Sequence, residues 1–259
     1  MAVIRWQHFS NVLRLHTSLT ITLPEPTATG TCFPLLYLLH GGTENSTTWL
    51  REANLEVISE RFQLATVSID GLSSAYVDMW HGCKYFTYLT EELPSLLSTR
   101  LPVSNDPKDT LIAGFSMGGQ GALRAAFRHP EQYAACFALS GARDMIPLFE
   151  KWASMQNGPD LHGVIDALGP IEQLRGSDND IVALADQAAH CGKPLPLFYL
   201  ACGNEDYAVA LSDAYHEYLL TIGLAHEYYK APGIHGYRFA EHALIWGLQR
   251  WSLQRSLTV

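Results

Sequence analysis

The chain has 259 residues, 47% of them hydrophobic and 17% charged, with a formal net charge of −9. That composition suits a globular chain with a sizeable core and excludes disorder. The acidic balance argues against nucleic acid, whose phosphates need a basic face.

No run of 18 apolar residues is present, so no membrane span is expected. The N-terminal MAVIRWQHFSNVL lacks the uninterrupted apolar core of a signal peptide. Five cysteines (Cys32, Cys83, Cys136, Cys191, Cys202) follow no CxxC or Cys/His metal spacing. Cys32, Cys136 and Cys202 lie in or beside apolar segments and read as small buried hydrophobes. The expectation is a cytoplasmic protein in a reducing compartment, without a membrane or nucleic-acid partner.

Residues 3–13 and 16–23 alternate apolar and polar side chains, which predicts an opening antiparallel hairpin. Residues 24–30 read as a loop. Residues 34–39 (PLLYLL) form an apolar run suited to a strand buried on both faces, ending in His40-Gly41-Gly42. A helix is expected over 48–62, a buried strand over 64–69 and a loop over 70–83. Residues 85–100 have helical spacing, with a bend or restart at Pro94.

The stretch 110–128 reads TLIAGFSMGGQGALRAAFR. An apolar strand passes through Gly114-Phe115-Ser116-Met117-Gly118 into a helix with Gly118, Gly121, Ala122 and Ala125 on one face. A strand is expected over 133–139. From about 142 to 194 there is no strand pattern, only short helices broken at Gly158-Pro159 and Gly169-Pro170. A strand over 197–202 leads to Gly203-Asn204-Glu205-Asp206. An amphipathic helix follows through Leu211, Tyr215, Tyr218, Leu219 and Ile222. A last strand over 226–230, the loop Pro232-Gly233-Ile234-His235-Gly236 and a C-terminal helix around Ala240–Trp251 complete the chain.

Strands alternating with helices predict an α/β fold, a mostly parallel sheet with helices on both faces. The whole of 1–259 is expected to be one domain, with 142–194 as a small helical cap over the carboxyl ends of the strands. Gly-x-Ser-x-Gly between a strand and a helix is the nucleophile elbow of α/β-hydrolases. A dinucleotide loop fits poorly, because Arg124 stands where a third small residue is wanted. A P-loop lacks its Gly-Lys-Ser/Thr.

In that fold the acid and then the base follow the serine. Asp206 and His235 each follow a strand's carboxyl end, at the same sheet edge as Ser116. Glu205 is the rival acid one residue away, and Asp144 and Asp180 fall in the cap segment. His242 is the rival base, inside the last helix. Serine needs a base to take its proton, and the carboxylate holds the imidazole's tautomer. The backbone N–H of Met117 and one from the loop His40-Gly41-Gly42 are the expected oxyanion donors. His40, Gly41 and Trp80 are expected near the substrate pocket. The loop 70–83 either lines that pocket or packs as a surface loop.

These pieces resemble the esterase D family, and within it the tributyrin-esterase-like branch. The resemblance lies in LLYLLHGG with Asn45 and Trp49-Leu50-Arg51, in YFTYLTEELP and in IAGFSMGGQGA, ACGNEDY and PGIHGYRFAEHALIW. It covers nearly the whole chain. It implies a serine carboxylesterase acting on short-chain acyl esters, without cofactor or metal. It places the acid on Asp206, the base on His235 and the oxyanion amides on Gly42 and Met117. Glu44 departs from the glycine usual in that branch and leaves the alcohol preference open. The family also holds S-formylglutathione hydrolases, feruloyl and acetyl-xylan esterases and mycolyltransferases. A thioesterase is therefore the first alternative, and a non-catalytic hydrolase-like binding protein another. A homo-oligomer is left open.

Overall fold

The apolar runs become the middle of one eight-stranded sheet. The structure, a computed structural model, describes every residue except Thr27, Thr29, Thr258 and Val259. The predicted loop 24–30 includes Thr27 and Thr29, which therefore lie outside the described residues. The strands are β1 (Ala2–Ser10), β2 (Leu15–Leu23), β3 (Leu35–Leu39), β4 (Ala65–Ile69), β5 (Thr110–Phe115), β6 (Ala135–Leu139), β7 (Leu197–Gly203) and β8 (Glu227–Ala231).

Their order is β1-β2-β4-β3-β5-β6-β7-β8. The hairpin β1–β2 and the β2–β4 pair are antiparallel. Every pairing from β4 through β3 to β8 is parallel. β3, β4 and β6 are buried at every position. This is why they read as continuous apolar runs. β8, at the edge, is mostly half-buried.

The helices are α1 (Thr48–Glu52), α2 (Leu55–Phe62), α3 (Tyr85–Thr87), α4 (Leu93–Arg100), α5 (Met117–Arg128), α6 (Ile146–Ala153), α7 (His162–Leu168), α8 (Ile181–His190), α9 (Val209–Thr221) and α10 (Tyr237–Leu257). The strand period of two sorts them onto opposite faces. Leu35, Tyr37 and Leu39 share one core with Leu123 and Ala126 of α5, Leu184 of α8 and Leu219 of α9. Leu36 and Leu38 share the other with Ile58 of α2 and Leu244 and Leu248 of α10. In 142–194 the described residues form α6, α7 and α8 and no strand. Ile146, Phe149, Ile171 and Leu174 there make a separate small cluster.

Several expectations are corrected. The helix expected over 48–62 is two helices, because Ala53 is extended (φ −130°, ψ 156°). The helix over 85–100 restarts at Pro94 as expected, α4 beginning at Leu93 with Pro94 in its first turn, but the turn before it is not α-helical. Tyr88–Glu92 form a π-helical turn in which the Leu93 N–H donates to the Tyr88 carbonyl. Pro94 has no N–H and would crowd the carbonyl four residues back; the widened turn accommodates the ring upstream. Cys32 is exposed, although Phe33 beside it is buried. Cys136 and Cys202 are buried, as expected.

The turn between β5 and α5 is governed by steric contact. Ser116 has φ 53° and ψ −113°, a conformation that costs about 1–3 kcal/mol and must be held by its surroundings. A methyl on Gly114 would lie 2.0 Å from the Gly118 carbonyl oxygen, and one on Gly118 would lie 2.3 Å from the Leu39 carbonyl oxygen. Backbone cannot yield to such contacts. Gly118→Ala is expected to destabilise the fold by about 3 kcal/mol or more, roughly 6–12 °C of Tm. Calorimetry on Gly118→Ala and Gly42→Ala checks this, since a methyl on Gly42 meets nothing within 4 Å. A Gly118→Ala Tm equal to that of Gly42→Ala would refute it.

Candidate active site

Parallel pairing brings the carboxyl ends of β5, β7 and β8 to one edge, and the loops there carry Ser116, Asp206 and His235. The side chains meet. His235 Nε2 is 2.9 Å from Ser116 Oγ, and His235 Nδ1 is 2.8 Å from Asp206 Oδ2. The carboxylate can only accept, so Nδ1 carries the proton and Nε2 accepts from the serine hydroxyl. Asp206 Oδ1 also accepts the Ala208 N–H at 2.8 Å. Burial pushes the Asp206 carboxyl up, but the hydrogen bonds from His235 and Ala208 outweigh it and hold the group below its ordinary value. Phe115 packs its ring 4.8 Å from the His235 ring.

The rivals are engaged elsewhere. Glu205 donates its N–H to the Gly233 carbonyl (3.1 Å) and accepts the Gly233 N–H on its carboxylate. It thus ties the acid loop to the base loop. Asp144 and Asp180 both pair with Arg175, at 2.8 and 3.2 Å, and Asp180 caps α8 through the Val182 N–H. His242 is exposed on α10.

Met117 is the first residue of α5, so its N–H has no acceptor inside the helix and sits at the positive end of the dipole. Gly42 is exposed just beyond β3. Gly41, by contrast, is buried, and its N–H is taken by Glu44 Oε2 (2.8 Å) and by the Tyr237 hydroxyl (3.2 Å). Tyr237 in turn donates to the Glu44 carboxylate. Burial, reinforced by that carboxylate, pushes the Tyr237 hydroxyl well above its ordinary pKa and keeps it a donor. Glu44, which stands out in the sequence only as a departure from a glycine, is therefore a clamp on the loop after β3. Tyr237 carries no sequence signal beyond its place two residues after His235.

His40 does not line a pocket. It is fully buried; Nδ1 donates to the Gly41 carbonyl at 2.6 Å, and Nε2 accepts the Gly71 N–H at 3.0 Å. Burial lowers its pKa, which favours the neutral ring this pattern requires. It holds the turns after β3 and β4 together. The loop 70–83 is anchored from beneath by Tyr76, fully buried, whose hydroxyl donates to the His40 carbonyl. Trp80 is exposed. Its N–H donates to the Ala167 carbonyl (3.0 Å), the His81 N–H donates to the Asp166 carbonyl (2.8 Å), and its ring packs against Gly169. The loop is thereby joined to the segment 142–194.

One neighbour of the site was not foreseen. Tyr207, 75% exposed, sets its ring 4.5 Å from the His235 ring and its hydroxyl 3.4 Å from His235 Nε2. Its adjacency to Asp206 was the only available clue. Among the described residues no cluster of His, Cys, Asp or Glu is arranged to hold a metal ion, and no helix is long and apolar enough to cross a membrane.

The family described as Esterase matches residues 10–158. The chain is 26% identical to the acetyl esterase of Caldicellulosiruptor saccharolyticus, over 92% of this chain and 94% of the relative. It is also 26% identical to the S-formylglutathione hydrolase of Mus musculus, over 86% and 87%. Among solved structures, the fluorophosphonate-binding serine hydrolase F of Staphylococcus aureus superposes with a TM-score of 0.87 at 25% identity, covering 96% of this chain and 98% of that one.

Proposed function

Since the chain belongs to the Esterase family and is a carboxylic ester hydrolase of α/β-hydrolase fold, we propose that Ser116 is its nucleophile, His235 its general base and Asp206 the carboxylate that orients the base. The continuous hydrogen-bond chain from Ser116 Oγ through His235 to Asp206 carries this reading. Ser116 Oγ attacks the ester carbonyl as its proton passes to His235 Nε2. The tetrahedral oxyanion is held by the N–H groups of Met117 and Gly42. Occupation of the Gly41 N–H by Glu44 supports Gly42 as the donor from that loop. His235 returns the proton to the leaving oxygen, and water then hydrolyses the acyl-enzyme by the same proton route.

The substrate in this reading is a small acyl ester with a short acyl chain, turned over without metal or organic cofactor by a cytoplasmic enzyme. The segment 142–194 acts as a cap, and its backbone ties to Trp80 and His81 support a joint wall with the loop 70–83. Thioester hydrolysis is the second reading, favoured by the likeness to an S-formylglutathione hydrolase. Kinetics on p-nitrophenyl esters from C2 to C8 beside S-formylglutathione tests both. The highest kcat/KM is expected on the C2–C4 esters. A large excess for the thioester would replace the ester reading.

A further inference from the structure

Among the described residues, buried Arg143 forms no ion pair with a carboxylate. It is 5% exposed. Nη1 donates to the Ser140 carbonyl at 2.9 Å, while Nε is buried with no partner. Arg51, Arg128, Arg175, Arg250 and Arg255 all pair with carboxylates. Buried Arg124 also leaves Nε unpaired, but both its terminal nitrogens donate to carbonyls, those of Ala75 and Asn179. The carboxylates near Arg143 in the chain or at the site are engaged elsewhere. Asp144 pairs with Arg175, Asp206 with His235, and Glu205 with the Gly233 N–H. A guanidinium withdrawn from water with neither carboxylate nor a full set of acceptors is costly, and an anion arriving from outside would offset that cost.

The position of Arg143 says where that anion would be. Gly141, two residues earlier, packs on the nucleophile's backbone; a methyl there would lie 2.4 Å from the Ser116 carbonyl oxygen. Gln120, on the first turn of α5, donates its side-chain amide to the Arg143 carbonyl. The guanidinium carbon is 5.5 Å from the centre of the Tyr207 ring. The hydroxyl of that ring lies beside His235 Nε2, the atom that returns a proton to the leaving group.

We propose that Arg143 recognises a carboxylate carried by the leaving group, alcohol or thiol, of the substrate, with the exposed Tyr207 ring flanking the connecting portion. The planar fork of arginine matches a carboxylate in shape as well as charge. A chain of net charge −9 repels anions in general, so a preference for one needs a local cation of this kind. The inference rests on the esterase reading above.

The test compares kcat/KM for 4-acetoxybenzoate and 4-acetoxybenzamide in wild type and in Arg143→Gln. Taking the ratio of the two esters in each protein cancels their intrinsic reactivity. The ratio is expected to fall roughly 10- to 100-fold in the variant, as for loss of a hydrogen bond to a charged group. An unchanged ratio overturns the assignment. Arg143 also supports the Ser140 carbonyl, so a second measurement needs no variant. In wild type, benzoate is expected to inhibit competitively at a concentration at least about tenfold below that of benzamide. Equal inhibition by the two overturns it equally. p-Nitrophenyl acetate turnover and fluorophosphonate labelling of the wild type are measured alongside. Their absence would defeat the esterase reading itself, whereas their presence without a charge preference removes only the role of Arg143.

Discussion

Ser116→Ala is expected to lower kcat on p-nitrophenyl acetate by roughly 10³- to 10⁶-fold and to abolish covalent labelling by a fluorophosphonate. No other hydroxyl occupies the 2.9 Å contact with His235 Nε2; the Tyr207 hydroxyl stands at 3.4 Å, and no turn like that of Ser116 projects it. Residual catalysis would come from the oxyanion donors, which are backbone groups and survive the substitution. The fold should survive too, because alanine keeps the β-carbon and removes only the oxygen. Calorimetry alongside the kinetics separates lost chemistry from lost folding. A variant that keeps wild-type-like turnover would show the nucleophile to be misassigned.

Asp206→Asn should lower kcat by about 10⁴-fold, the scale seen when a triad aspartate of a serine protease is made amide. An asparagine amide can donate toward Nδ1, which drives the ring proton to Nε2 and blocks acceptance from serine. Glu205→Gln, one residue away, should change kcat by less than about tenfold, because glutamine still accepts from the Gly233 N–H. Steady-state kinetics on the pair decides between the acids; equal losses would unseat Asp206.

The two variants should also differ in acid. Asp206 is held below its ordinary pKa in the folded state. Its contribution to stability is therefore full above the unfolded value and is lost as pH falls through the lower folded value. Denaturant unfolding from neutral pH down to about pH 3 should lose less stability in Asp206→Asn than in wild type over that range. A parallel decline in both would contradict the role assigned to the carboxylate.

Much of this architecture was legible in the residues themselves. Strands buried on both faces leave unbroken apolar runs, as at 34–39, and amphipathic helices leave their own period. Ser116 was legible because its turn admits only glycine at positions 114 and 118. Asp206 and His235 were legible because parallel strands deliver their carboxyl ends to one edge, so chain order alone brings the loops together.

What escaped depends on residues far apart in sequence. Nothing local tells that His40 turns inward to bridge Gly41 and Gly71. Nothing local tells that Glu44 meets Tyr237, 193 residues away, or that Tyr207 lies against His235. Pro94 marks the restart of the helix at Leu93, but not the π-helical turn over Tyr88–Glu92 that precedes it. Cys32 looked apolar by its neighbours, yet it is exposed while Phe33 beside it is buried.

The Gly41–Tyr237 contact spans 196 residues and the Ser116–His235 contact 119. Contacts of such high order carry a loop-closure cost that is met late along a folding route. The sheet's middle can form around β3, β5 and β6 while the machinery is still unassembled. With His235 as the proposed base, turnover would require β8 and α10 to be seated, since they deliver His235 and Tyr237 together. A partly folded intermediate of this chain, however rich in secondary structure, would be catalytically silent.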